Sequence, residues 1–171
     1  GKQPKEIQVV CLACYKPLHS YEWCSRLDLT SFVNQLIDWQ ISEPLREKNI
    51  GKNIKFLTGE EDEVSFKVGK QYEENPYPRW VDMGLNFEKR GIRDIATDAN
   101  LFIYDQTIFE NNAPRILIAG CGTGQHAISR SQAIKNCEVL AIDLSTSSLA
   151  YAERKTQELG IQNVEYMKGD I

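Results

Sequence analysis

The stretch Ile116-Leu117-Ile118-Ala119-Gly120-Cys121-Gly122-Thr123-Gly124 decides the fold. Four apolar residues run straight into a turn with glycine at every second position. A second apolar run, Val139-Leu140-Ala141-Ile142, ends on Asp143. A strand of 4–8 apolar residues bounded by turn residues is the pattern of a buried strand in a parallel sheet. The glycines let the backbone turn sharply and let a ligand approach the main chain with no Cβ in the way. A helix opened by such a turn aims its free N–H groups at that ligand. An acid at the tip of the second strand can take two hydrogen bonds from a ribose diol. Together these parts form the nucleotide-cofactor half of an α/β sheet.

Working outward, the pattern from Arg115 is strand, turn, helix, strand, helix, strand. The first strand is expected over Arg115–Ala119 and the second over Glu138–Asp143. The third is expected over Val164–Lys168. Helices are expected over Gln125–Ile134 and Thr146–Leu159. Ser145 caps the latter helix and Gly160 closes it. Strands without alternation predict a parallel sheet covered on both faces. Pro114 marks the boundary before the first strand. The fold class is therefore α/β: an N-terminal helical region, 1–114, and a truncated Rossmann-like parallel sheet, 115–171, with strand order 3-2-1 and flanking helices. With the expected fourth strand absent, the first strand becomes an exposed apolar edge. Such an edge invites pairing with a second copy or cover from a local segment. A homodimer through that edge, or through the helical region, is expected.

Upstream the signals are weaker. Residues 5–27 read as a helix broken by Pro17 near Tyr15-Lys16. Asp28 and Thr30 are candidate caps for a second helix carrying Phe32, Val33, Leu36, Ile37 and Trp39. Pro44 bends or restarts it, and Leu45 continues its apolar face. Residues 51–55 read as a loop. The acidic run Glu60–Glu63 suits a helix N-terminus, with Val64, Phe66, Val68 and Tyr72 following. Asn75-Pro76-Tyr77-Pro78-Arg79-Trp80 is expected to be an extended, rigid loop. Leu101, Ile103, Tyr104 and Ile108 mark a further helical or irregular segment.

The 171 residues are 42% hydrophobic and 26% charged, enough for one domain or one and a half. A net charge of −4 and a pI near 5.3 disfavour a dominant partnership with nucleic acid, which leaves a basic excess. No run approaches the ~18 apolar residues of a membrane span. Five scattered cysteines do not make a disulfide framework, and a reducing cytoplasm is the expected compartment. Cys11 and Cys14 form a CxxC near His19 and Cys24. No second pair follows at zinc-site spacing, so no metal site is expected. Cys121, at a helix N-terminus, is open to a lowered pKa and reads as a small residue that fits the turn. His126 is expected to face solvent or to cap the helix rather than to act as a general base.

Two cofactors suit the glycine turn and its acid, NAD and S-adenosylmethionine. The dinucleotide fingerprint G-x-G-x-x-G/A places its third small residue at 125, where this chain has Gln. The third glycine comes one residue early, at 124. A phosphate-binding P-loop is excluded, since no Gly-Lys-Ser/Thr follows.

ILIAGCGTG at Ile116–Gly124 resembles the first motif of class I S-adenosylmethionine-dependent methyltransferases. AIDLS at Ala141–Ser145 is similar to their second motif, and GDI at Gly169–Ile171 to their third. The resemblance implies S-adenosylmethionine as cofactor and methyl transfer to an unidentified acceptor; the alternative is a non-catalytic cofactor-binding or assembly module. It implies that Gly120, Cys121, Gly122, Gly124, Gln125, Asp143, Leu144, Asp170 and Ile171 hold the cofactor. Asp143 would take the ribose hydroxyls and Asp170 the adenine amino group. No catalytic residue is implied, because the positive sulfur already activates the methyl. One departure stands out: many members carry an acid where this chain has Ile118. Residues 71–80, with Cys14–Leu18 and Glu43-Pro44, also resemble methyltransferase domains attached to tetratricopeptide repeats in some bacterial proteins. In related enzymes an N-terminal tyrosine lies over the cofactor, which makes Tyr72 a candidate cover and Arg79 a candidate carboxylate partner. The competing reading is that this loop packs on the sheet through Tyr77 and Trp80.

Overall fold

The computed structural model describes residues 3–27, 33–57, 73, 76–85 and 88–170. The chain divides into two compact units, Gly1–Lys52 and Asn53–Ile171.

In the first unit, α1 (Glu6–Ala13) stops ahead of Pro17, as expected. The rest of 5–27 does not resume as a helix. It forms two single 3₁₀ turns, Leu18–Ser20 and Cys24–Arg26. Asp28, Thr30 and Phe32 lie outside the described residues. A short α2 (Asn34–Ile37) passes through one π-helical segment, Asp38–Ser42, into α3 (Glu43–Gly51). The widened turn has a cause in Pro44. Proline lacks an N–H and its ring crowds the carbonyl four residues back. That carbonyl, Gln40 O, receives a hydrogen bond from His19 Nδ1 instead, at 3.1 Å. Val9, Leu18, Cys24 and Ile41 form the buried cluster of this unit. Leu45 does not continue that face; it is exposed, as is Trp39.

In the second unit, three strands appear where the sequence predicts them: β2 (Arg115–Ala119), β3 (Glu138–Asp143) and β4 (Val164–Lys168). A two-residue β1 (Lys55–Phe56) joins them, where a loop was expected. The sheet is parallel in the order β1-β4-β3-β2, so the predicted 3-2-1 order is present with one strand added beyond β4. Leu57 N–H donates to Lys168 O at 2.8 Å and extends that added edge. Lys55 Nζ meets Glu165 Oε1 at 2.7 Å across the β1–β4 pair. A short helix not anticipated from the sequence, α4 (Ile92–Asp98), precedes the sheet; Gly91 N–H donates to Asp94 Oδ2 in its first turn. Residues 101–105 are irregular, and Gln106–Glu110 form a 3₁₀ segment. The acidic run Glu60–Glu63 and the apolar residues Val64, Phe66 and Val68 lie outside the described residues.

The connections are α5 (Gln125–Ala133) and α6 (Thr146–Glu158). Ser145 caps α6, its Oγ accepting from Ser148 N–H at 3.0 Å, and Gly160 ends it at φ +68°. One face of the sheet, carrying Ile118, Val139, Ala141 and Tyr166, is buried. The other face, expected to be covered as well, is only partly so. Ile142 is buried there, whereas Leu117 on the same face is 61% exposed. β2 has β3 on one side and, among the described residues, no strand on the other.

Candidate functional site

The site is assembled at the carboxyl ends of β2 and β3, where open α/β sheets bind their ligands. Leaving β2, the chain takes positive φ at Gly120 (+66°), Gly122 (+53°) and Gly124 (+84°). These are left-handed positions that side chains rarely adopt. The glycines then part company in role. A Cβ on Gly122 would meet none of the described residues within 4 Å, so among them the space above it is open. A Cβ on Gly124 would lie 2.6 Å from Ala152 Cβ and 2.9 Å from Tyr166 Oη. Gly124 is therefore needed where α5 starts against α6 and β4. Gly122 leaves its backbone bare towards the space a ligand would use.

Asp143 ties the turn to the next strand. Its Oδ2 accepts from Gly122 N–H at 2.7 Å and its Oδ1 from Ser145 N–H at 3.0 Å. A carboxylate has about four lone-pair positions, so roughly two remain after these bonds. Cys121 N–H donates to Ile142 O at 3.0 Å, and Gly124 N–H to Cys121 O at 3.0 Å. The loop is thus fixed before any ligand arrives.

The remaining candidates fall around this centre. Gln125 is exposed as the first residue of α5, and His126 beside it faces solvent. Leu144 is half-buried between Asp143 and the cap of α6. Asp170 is exposed after β4, one residue past Gly169, whose N–H donates to Asp143 O at 3.1 Å. Ile171 and Tyr72 lie outside the described residues. Ile118, the departure from the family pattern, is buried on the covered face of the sheet. Cys121 is not an activated thiol. Burial, and then the neighbouring Asp143 charge, push its pKa up to about 12, opposite to the lowering open to a cysteine at a helix N-terminus.

The Pro-aromatic loop packs on the glycine turn. Trp80 Nε1 donates to Thr123 O at 2.9 Å, and Thr123 Oγ1 donates to Pro78 O at 2.8 Å. Tyr151 Oη donates to Trp80 O, and Lys155 Nζ to Val81 O at 3.0 Å. Trp80 is buried with Ile128 and Tyr151, while Tyr77 is 77% exposed. The loop was expected to pack on the sheet through Tyr77 and Trp80; Trp80 packs instead on the glycine turn and on Ile128 of α5 and Tyr151 of α6, and Tyr77 stays exposed. Arg79 lies over the Tyr151 ring, 4.8 Å from its centroid.

One participant had no sequence signal. Glu73 reaches the start of α6, where Oε1 accepts from Thr146 N–H at 2.6 Å and Oε2 from Ser147 N–H at 2.9 Å. Burial alone would raise its pKa, but the hydrogen bonds from Ser147 and Thr146 outweigh it and hold the carboxyl below its usual range. A cavity of about 600 Å³ lies elsewhere, lined by Arg115, Leu117, Leu140, Asn163 and Glu165 among others. It opens at the amino ends of the strands, away from the glycine turn, and does not belong to this site. Among the described residues no group of three or more metal-capable side chains lies together. None of the described helices is long and apolar enough to cross a membrane.

Known proteins match mainly over the same segment. Residues 116–171 match the sequence model of a family described as "Methyltransferase domain". Release factor glutamine methyltransferase of Escherichia coli (strain K12) is 34% identical over 56 residues, 33% of this chain and 20% of that protein. The enzyme of the same name from Lactococcus lactis subsp. lactis (strain IL1403) is 27% identical over 134 residues, 74% of this chain and 46% of that protein. The chain thus spans less than half the length of these curated relatives. A solved S-adenosylmethionine-dependent methyltransferase from Aquifex aeolicus aligns at a TM-score of 0.33 and 17% identity, covering 63% of this chain and 46% of that one. The glycine turn, the strand-tip acid and the match to the methyltransferase domain model thus fall on the same segment, residues 116–171.

Proposed function

We propose that this segment binds S-adenosylmethionine and that the protein is a methyltransferase acting on an acceptor still to be identified. The observation that carries the reading is the Asp143 carboxylate. It bridges Gly122 N–H and Ser145 N–H and keeps lone pairs for a ribose diol. The open space over Gly122, which a Cβ would fill, supports close approach of a ligand to the backbone. Gly120, Cys121, Gly122 and Gly124 would line the cofactor's path, with Gln125, Leu144, Asp170 and Ile171 around it. Tyr72 and Arg79 are proposed to act from the N-terminal side.

The bound cofactor supplies a methyl group already activated by a sulfonium. The chain's share of the work is to bind, orient and desolvate. Asp143 fixes the ribose end, and the pre-bonded turn presents the backbone without rearrangement. All five cysteines are free, which supports a reducing, cytoplasmic setting. Titration calorimetry with S-adenosylhomocysteine tests the reading: saturable heat is expected, and no heat at millimolar ligand sinks it.

A further inference from the structure

The start of α6 lies beside the strand-tip acid, and its leading N–H groups all have partners within the chain. Ser145 N–H goes to Asp143 Oδ1, Thr146 and Ser147 N–H go to the two Glu73 oxygens, and Ser148 N–H goes to Ser145 Oγ. The Ser147 hydroxyl adds a bond to Glu73 Oε2 at 2.7 Å and one to Glu73 O at 2.9 Å. A helix N-terminus ordinarily carries about half a positive charge and draws anions. Here two carboxylates sit on consecutive N–H groups of a single turn. Among the described residues, an arriving phosphate would find the leading backbone N–H groups of this turn already taken, with two negative charges bonded to them.

Dinucleotide sites set the contrast. There an acid at this strand tip takes a free 2′-hydroxyl, and a nearby arginine accommodates a 2′-phosphate. In this chain the group held beside the acid is a second acid. It is delivered from far upstream, so the sequence around the motif does not reveal it. We propose that Glu73 is a specificity-determining residue at the ribose end of the cradle. Together with Asp143 it admits a nucleoside whose 2′- and 3′-hydroxyls are free and rejects one phosphorylated there. This rests on Asp143 being the ribose acid.

The test is competition against S-adenosylhomocysteine on the full chain, using adenosine and adenosine 2′-monophosphate as probes. The wild type is expected to prefer adenosine by more than tenfold. Glu73→Gln keeps the shape, removes the charge, and is expected to cut that preference about tenfold while S-adenosylhomocysteine affinity changes less than threefold. Ser147→Ala removes two bonds to Glu73 but leaves its charge, and is expected to keep the preference. A merely structural role for Glu73 would make both variants weaken all three ligands together. Raising salt from about 20 to 500 mM on the wild type is expected to shrink the preference, a reading that needs no variant. If S-adenosylhomocysteine binds and Glu73→Gln leaves the preference unchanged, this proposal falls alone. If S-adenosylhomocysteine does not bind the wild type, the proposal falls together with the cofactor reading beneath it.

Discussion

Gly124→Ala perturbs one atom and has two separable costs. The first is backbone. At φ +84° an L-residue sits in the left-handed region, at a cost of about 1–2 kcal/mol. The second is contact. The new Cβ would lie 2.6 Å from Ala152 Cβ, 2.9 Å from Tyr166 Oη and 3.3 Å from Ala152 Cα. Two of the three atoms belong to a residue within α6, which has no flexible end to swing aside. Overpacking of this kind costs about 1–3 kcal/mol. The sum is about 3 kcal/mol, which for a unit of this size lowers Tm by roughly 10 °C. Thermal unfolding followed by far-ultraviolet circular dichroism measures it. A double-mutant cycle separates the costs. Ala152→Gly removes the closest contact and by itself costs about 1 kcal/mol in helix propensity. Combined with Gly124→Ala it is expected to show a favourable coupling of about 1 kcal/mol, with the backbone cost remaining. A fall in Tm under 2 °C, or a coupling of zero, would refute the claim that this glycine seats α5 against α6.

Gly122→Ala is the contrasting case: only the backbone cost applies, so Tm falls a few degrees while S-adenosylhomocysteine binding by calorimetry is lost. Below the ordinary glutamate range, acid weakens the Glu73 latch. Its folded pKa is lowered, so its stabilisation is complete above the unfolded value and disappears as pH drops through the folded one. Glu73→Gln should flatten that acid limb in a pH series of Tm, and an unchanged limb counts against the latch. With a thiol-exchange reagent at pH 8, exposed Cys11 and Cys14 are expected to react quickly, and buried Cys24, Cys121 and Cys137 only at the rate of unfolding. Prompt labelling of Cys121 would contradict its raised pKa. We expect the edge of β2 that no described strand covers to pair with a second copy. A monomeric sedimentation profile together with fast amide exchange along Ile116–Ala119 would defeat that expectation.

Legibility in the sequence follows how locally each feature is encoded. The bounds of β2 and β3 could be read because unbroken apolar runs meet hard punctuation at Pro114, Gly120 and Asp143, whereas β4, interrupted by Glu165, could be read from its place after the stop of α6 at Gly160. The cap and stop of α6 could be read because Ser145 and Gly160 act on neighbours a few residues away. β1 could not, since two exposed residues carry no periodicity; it exists because β4 offers an edge. α4 is short and carries a single buried residue, Ala96, so its apolar pattern is faint. The second half of 5–27 misled because apolar residues at helical spacing also fit two 3₁₀ turns once Pro17 has broken the chain. In the site, the glycines and Asp143 were legible as a motif. Trp80 was legible only as a packing residue and Glu73 not at all, because their partners, Thr123, Thr146 and Ser147, are remote in sequence and nothing near them announces the pairing.

The indole bond to Thr123 has a practical consequence. Trp80 is the protein's native optical probe of its own ligand loop. Trp80 is 7% exposed, whereas Trp23 and Trp39, in the other compact unit, are 37% and 49% exposed. Its emission should therefore be separable as the blue component of the spectrum. Because its N–H is bonded to a carbonyl between Gly122 and Gly124, occupancy of the turn should register as a change in that component alone, without any attached dye.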